Sequence, residues 1–83
     1  MAITSGINHI GLAVADLQAS IDFFLTQLGW TESGYDLSYP RTAVSDGKLK
    51  ITLWQIDHSN PVQGFDRRQN VGLHHLALHI DTE

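Results

Sequence analysis

The sequence predicts an α+β domain: one complete β-α-β-β-β module followed by the first strand of a second module. Three observations support this prediction. Apolar residues alternate near the start of the chain, one amphipathic helix follows them directly, and a near-copy of the first strand returns close to the end. Gly6–Val14 matches Gly72–Ile80 at a constant offset, with identical Gly, His and Leu residues at matched places. A repeat at a fixed offset is typical of a duplicated supersecondary unit.

The first predicted element is a strand over Ile7–Val14, because its apolar residues recur with the period of two that a half-buried strand shows. One face carries three branched apolar side chains and Asn8, and is expected to cover a core. The other face carries His9 between small residues. This second face therefore leaves room beside the sheet for a ligand or a metal ion.

The second element is a helix from Asp16 to about Leu28. Asp16 is expected to cap it, because an aspartate at this position accepts hydrogen bonds from free backbone N–H groups. Gly29 follows where a left-handed C-terminal residue is common. The helix presents one apolar stripe, formed by Leu17, Ile21, Phe24, Leu25 and Leu28.

Three more strands complete the first module. Trp30–Tyr35 is expected to begin the second strand, and Arg41–Ser45 and Lys48–Ile56 are expected to form a hairpin. The Asp46-Gly47 dipeptide between the last two is a strong hairpin signal.

The predicted order divides the chain into three parts. Residues 1–57 form the β-α-β-β-β module, 58–70 form a linker without periodicity, and 71–83 hold the first strand of an incomplete second module. That strand is predicted over Leu73–Ile80. We therefore expect a truncated protein, or a fragment of a longer one.

Composition excludes several classes of function. The chain has 83 residues, no cysteine, and nine acidic against five basic residues, for a net charge of −4. Disulfides and thiolate metal sites are excluded, and the negative charge argues against nucleic acid as a partner. No apolar run approaches the roughly 20 residues of a membrane span, and no signal peptide is recognisable. We expect a cytoplasmic protein that does not contact a membrane.

The histidines are the candidate metal ligands. His9 and His75 occupy equivalent places on equivalent strands, and imidazole is a common ligand of divalent metals. The alternative is that each is a strand histidine bonded to a neighbour. His74 and His75 leave opposite faces of a strand, so they are not expected to bind the same ion. His79 shares the face of His75 but lies about 13 Å further along the strand, which is too far for one ion. His58 falls in the linker and is expected to be solvated.

Two residues of the fourth strand are candidates for a ligand pocket. Ile51 and Leu53 are apolar and are assigned to the core side, so Thr52 and Trp54 line the open side together with His9. A hydroxyl is a poor ligand for a catalytic divalent ion. Trp54 could form an apolar wall for a small molecule, although an aromatic strand residue more often simply packs.

Several stretches together resemble the vicinal oxygen chelate superfamily, which includes glyoxalase I, bleomycin- and fosfomycin-resistance proteins and extradiol dioxygenases. They are Ile-Asn-His-Ile-Gly-Leu-Ala-Val-Ala-Asp-Leu, the Ile-Asp-Phe-Phe helix ending Leu-Gly-Trp, Asp-Gly-Lys-Leu-Lys-Ile-Thr-Leu-Trp, and Gly-Leu-His-His-Leu-Ala-Leu-His-Ile-Asp. The resemblance implies the glyoxalase/bleomycin resistance/dioxygenase fold, in which paired modules curl into an open cup.

The resemblance also implies where a metal would bind. His9 and His75 fall on two of the family's ligand positions, whereas Thr52 stands where a Glu is common. The fourth ligand of the family lies in a strand that these residues do not include. Zn, Ni, Fe or Mn would be the expected ion, and no catalytic base is recognisable.

Two functions follow as expectations. One is divalent-metal-dependent lyase or isomerase chemistry on a small oxygen-rich substrate, as in glyoxalase I (a lactoylglutathione lyase), or dioxygenase-like chemistry. The alternative is metal-free binding of a small molecule, as in bleomycin-resistance proteins, where the acidic charge would suit a cationic ligand. A third possibility is a folded remnant without activity. We expect a homodimer that supplies both modules, with or without exchange of the terminal strands.

Overall fold

One helical segment packs against one face of a four-stranded sheet. The structure is a computed structural model that describes residues 2–36 and 38–81. Its elements are β1 (Ile10–Val14), α1 (Leu17–Asp22), a π-helical turn (Phe23–Gln27) that continues α1, β2 (Thr31–Asp36), β3 (Arg41–Ser45) and β4 (Lys50–Gln55). The predicted α+β class and the β-α-β-β-β order are confirmed.

The strands lie in the order β1-β4-β3-β2, so the first strand crosses over to pair with the last. β1 runs parallel to β4, whereas β3 is antiparallel to both of its neighbours. The β3–β4 hairpin turns at the predicted dipeptide. The Asp46 carboxylate accepts the backbone N–H groups of Lys48 and Leu49 at 2.8 and 2.7 Å. Gly47 adopts a φ of 99°, which disfavours other residues.

The core lies between the helix and one face of the sheet. Val44, Ile51 and Leu53 are fully buried there. The predicted apolar stripe of the helix meets them through Leu17 and Ile21, and the alternation predicted for β1 places its branched side chains on the same side. Because every second residue of β4 enters this core, as do Thr42 and Val44 of β3, the residues between them point to the opposite face.

Both ends of the helix follow the predicted signals. The Asp16 carboxylate accepts the N–H of Ala19 at 3.1 Å, which confirms the N-cap. At the other end, Gly29 has a φ of 72°. The N–H of Trp30 then donates to the carbonyl of Phe24 at 3.0 Å, and their rings pack with centroids 4.9 Å apart. Gly29 and Trp30 thus connect the helical segment to β2, and the Trp30 ring packs in the core.

The C-terminal segment differs from the expectation. Leu73–Ile80 was predicted as a further strand, but residues 71–81 form no strand in the structure. A strand needs a neighbour to accept and donate its backbone hydrogen bonds, and the described sheet contains only β1 to β4. The segment keeps its apolar side chains partly or largely exposed, namely Leu73, Leu76, Leu78 and Ile80.

Within residues 2–36 and 38–81, neither helical segment has the length and apolar character that a membrane span requires.

Candidate functional site

The sheet face opposite the helix is the candidate site, and we call it the open face. Among residues 2–36 and 38–81 no helix packs on it, and strand pairing brings side chains from all four strands together. Its members are Gly11, Ala13, Thr31, Ser33, Asp36, Arg41, Ala43, Ser45, Lys50, Thr52 and Trp54. The two predicted pocket residues, Thr52 and Trp54, therefore share this face as expected from their position in the strand.

The centre of the open face is lined by small residues. Thr52 pairs with Gly11 on one side and with Ala43 on the other. None of the three side chains extends far above the sheet. The centre is therefore a shallow area of small side chains, in which Ala43 is only 7% exposed.

Trp54 borders this centre. Its side chain is 42% exposed, and its Nε1 lies 3.8 Å from the position that a Cβ on Gly11 would occupy. The indole thus leans over the small residues and does not point straight into solvent. Its N–H is a hydrogen-bond donor and cannot accept.

Arg41 sits directly across from Trp54 on β3. Its guanidinium carbon lies 5.3 Å from the centre of the indole ring, within the range of a cation–π contact. Arg41 also has a carboxylate neighbour, because Asp36 Oδ2 lies 3.9 Å from the guanidinium. Hydrogen bonds from Ser38 hold the pKa of Asp36 below its ordinary value, and the charge of Arg41 adds to this effect.

His9 comes just before β1, and the alternation of the strand assigns it to the same face of the sheet as Gly11. Its Nδ1 lies 2.7 Å from the acceptor Asn8 Oδ1, so Nδ1 donates there, and Nε2 has no hydrogen bond among the described residues. An oxygen partner on the other ring nitrogen is what metal-bound histidines usually have. The side chain is exposed.

His75 lies in the irregular C-terminal segment. Its Nδ1 is 2.8 Å from Nδ1 of His74, so one ring donates to the other. The two imidazoles also pack edge to face with centroids 5.0 Å apart. The expectation that adjacent histidines leave opposite faces is wrong here, since that geometry requires a strand and this segment has none.

The described side chains do not by themselves complete a metal site. Within residues 2–36 and 38–81, no three His, Asp or Glu side chains come close enough together to hold an ion. A hydroxyl stands at Thr52, and His9 and His75 each contact their own neighbour in sequence. Two imidazoles are too few for either a structural or a catalytic zinc site. The donor set on this chain does not fit a catalytic divalent ion unless further ligands are added.

A cavity lies elsewhere among the described residues. It has a volume of about 460 Å³ and is lined by the end of the helix, the β3–β4 turn and residues 78–81. Neither candidate pocket residue nor either candidate metal ligand lines it. One of its walls is the segment that pairs with no described strand, so its shape depends on a part of the chain without regular structure. We therefore take the open face, which is built on paired strands, as the better candidate.

Three residues near the site make contacts that the sequence analysis did not predict. Arg41 could have been found from the alternation of β3, whose intervening residues Thr42 and Val44 enter the core. Gln55 and His58 join the end of β4 to the start of the helix. Gln55 Oε1 accepts the Leu17 N–H at 2.7 Å, and His58 Nε2 lies 2.7 Å from the Ala15 carbonyl. No local pattern signals these tethers. His58 is exposed, as expected, but it is also held in place.

Two solved structures resemble the chain. One is an integron cassette protein from the mobile metagenome of V. cholerae, with 28% identity, a TM-score of 0.57, and 86% of this chain and 51% of that chain covered. The other comes from the mobile metagenome of V. pseudocholerae, with 28% identity, a TM-score of 0.59, and coverage of 86% and 50%. The chain thus spans about half the length of either one. No curated protein matches it.

The sequence model of one family matches nearly the whole chain, over residues 6–83. This match agrees with the helix, the strand order and the two similar structures described above. The chain belongs to the Glyoxalase/Bleomycin resistance protein/Dioxygenase superfamily.

Proposed function

We propose that this protein binds a small molecule on the open face, between Thr52 and Trp54. The observation that supports this most strongly is the position of Trp54. A large aromatic ring that served only for packing would be expected in the core, as Trp30 is at 9% exposure. Trp54 instead stays 42% exposed beside a centre of small residues. An exposed aromatic ring beside small side chains is a common feature of ligand sites.

A second chain would complete such a site. Ligand pockets are concave, whereas one sheet face offers only one wall. β1 is an edge strand of the described sheet, and Leu73–Ile80 is apolar and unpaired among the described residues. We propose a homodimer in which two modules face each other, with or without exchange of this segment between chains. The doubled length of the matched structures supports the need for two modules.

The dimer is tested by sedimentation equilibrium at micromolar concentration. The expected result is a species with twice the mass of one chain. A stable monomer across the accessible concentrations would rule out a site made from two copies.

Binding is tested with a pair of aromatic variants. A library of small molecules is first screened against the protein, and the affinity of each ligand found is measured for Trp54→Ala and Tyr39→Ala. Tyr39 is an exposed aromatic residue in the β2–β3 turn, outside the open face. Loss of the ring contact should weaken binding about tenfold in Trp54→Ala, by analogy with an aromatic contact of about 1.5 kcal/mol. Equal affinities of the two variants would contradict the proposed site.

Metal-dependent lyase or isomerase chemistry is a second proposal. The observation that favours it is the hydrogen bond from His9 Nδ1 to Asn8, while Nε2 has no hydrogen bond among the described residues. His9 and His75 would bind a divalent ion such as Zn, Ni, Fe or Mn, and further ligands would come from a second module. When bound, the ion would supply Lewis-acid activation of substrate oxygens.

This second proposal is tested by calorimetric titration with zinc. The variants His9→Ala and His75→Ala should each lose affinity, whereas His79→Ala should bind as the unmodified protein does. If all three bind zinc equally well, the ion uses other groups and the proposed pair is wrong.

A further inference from the structure

We infer that the molecule bound on the open face is an anion: a flat, small compound with a carboxylate or a similar oxyanion. This inference rests on the proposed function and adds the chemical class of the ligand.

The charge of the open face is opposite to that of the whole chain. The chain has a net charge of −4, yet Arg41 and Lys50 both belong to the open face. Among the described residues, Asp36 is the one acidic side chain whose pairing places it there, opposite Arg41. Glu32 instead contacts Thr42 on the core side. The remaining described acidic residues lie in the helix, the turns, the linker and the C-terminal segment.

Local charge decides the ligand because charge effects are short-ranged in salt. The Debye length is about 8 Å at physiological ionic strength. Acidic residues on the helix side are therefore screened from a molecule on the open face. On the open face itself Arg41 and Lys50 outnumber Asp36, which favours an anionic ligand over a cationic one.

Arg41 is arranged to recognise an oxyanion. Stacking on Trp54 and the contact with Asp36 at 3.9 Å restrict the side chain, while 39% of it stays exposed. A guanidinium presents several N–H donors in a planar fork that matches a carboxylate. Because the Asp36 contact is long and comes from one side, donors remain for a ligand. A ring stacked beside Trp54 would bring its carboxylate to this fork.

The neighbouring polar groups are also donors. Trp54 Nε1–H leans over Gly11, and a tryptophan N–H cannot accept a hydrogen bond. Lys50 is a pure donor as well, and Thr52 between them can donate. Lys50 lies four residues from Trp54, which separates their Cα atoms by about 13 Å along the strand. A molecule with one or two rings and acceptor groups fits this length.

The inference is tested with three probes that share one ring: benzoate, benzyl alcohol and benzylammonium. Each is titrated into isotope-labelled protein, and the indole N–H signals are followed by NMR. Trp54 reports the site, and the buried Trp30 reports the integrity of the core. Benzoate should shift the Trp54 signal to saturation, and higher salt should weaken it. The neutral and cationic probes should bind more weakly.

The matched variants are Arg41→Gln and Arg67→Gln. Arg67 is an exposed residue of the 58–70 linker, outside the open face. Arg41→Gln should weaken benzoate binding about tenfold, as expected for loss of a charge-assisted hydrogen bond, with the Trp30 signal unchanged. Arg67→Gln should bind as the unmodified protein does.

The outcomes separate the two proposals. If benzyl alcohol or benzylammonium binds as tightly as benzoate, or if Arg41→Gln keeps full affinity, the anion inference is overturned while the site itself remains. If none of the three probes shifts the Trp54 signal, the open face is not a binding site and both proposals fail.

Discussion

Replacing Gln55 by Leu should destabilise the module, because this amide ties the sheet to the start of the helix. Gln55 Oε1 accepts the N–H of Leu17 at 2.7 Å, and its Nε2 donates to the Ala15 carbonyl at 2.7 Å and to the Ile56 carbonyl at 3.2 Å. The first N–H groups of a helix have no partner within the helix. Leucine has a similar size but can make none of these bonds.

The expected magnitude follows from the partners that lose a bond. His58 remains 2.7 Å from the Ala15 carbonyl, so that oxygen keeps one contact. The N–H of Leu17, a residue only 6% exposed, has no such replacement. Hydrogen bonds contribute about 0.5–1.5 kcal/mol each, and an unpaired buried group costs about 1–3 kcal/mol. We expect a loss of about 2 kcal/mol in the free energy of unfolding.

The assay is thermal unfolding followed by circular dichroism. For a chain of this size, each kcal/mol lowers Tm by about 4–8 °C. The control is Gln63→Leu, the same change at an exposed linker position. A further variant, Gln55→Glu, keeps an acceptor for the Leu17 N–H and should be less destabilised than Gln55→Leu. If Gln55→Leu melts at the same temperature as Gln63→Leu, the tether does not stabilise the fold.

Three further predictions concern the scaffold. Hydrogen bonds from the Leu49 and Lys48 N–H groups hold the pKa of Asp46 below its ordinary value of 3.8. These hydrogen bonds stabilise the fold fully above pH 3.8, where the carboxylate is ionised in both the folded and the unfolded chain. The stabilisation is lost as the pH falls through the lower pKa of the folded state. Asp46→Asn should therefore flatten the acid side of the pH–stability curve, as measured by melting at several pH values. Leu53→Ala, at a fully buried position, should cost about 2–5 kcal/mol in urea unfolding and could leave the module unfolded. Gly29→Ala should lose about 1 kcal/mol in the same assay because its φ is 72°, whereas Gly64→Ala, without positive φ or close neighbours, should not.

Much of the fold was predictable because its signals are local. The period of two in β1, the capping aspartate at position 16 and the Asp46-Gly47 turn each act within a few residues, and all three predictions are confirmed. The same alternation in β4 predicted which of its side chains enter the core, and it correctly placed Thr52 and Trp54 together on the open face.

The remaining features depend on contacts between distant parts of the chain. The cation–π contact of Arg41 with Trp54 requires the register of β3 against β4, which no single strand specifies. The Gln55 tether spans 38 residues. The segment Leu73–Ile80 has a strand-like pattern, but a pattern cannot supply the neighbouring strand that pairing requires.

The central claim is that the open face is the ligand site, and a map of backbone amide shifts with saturating benzoate tests it most directly. The account predicts that the largest shifts fall on Gly11, Thr52 and Trp54, in the centre of the open face. Shifts concentrated at residues 78–81 and at the end of the helix would place the ligand in the 460 Å³ cavity instead and contradict the account.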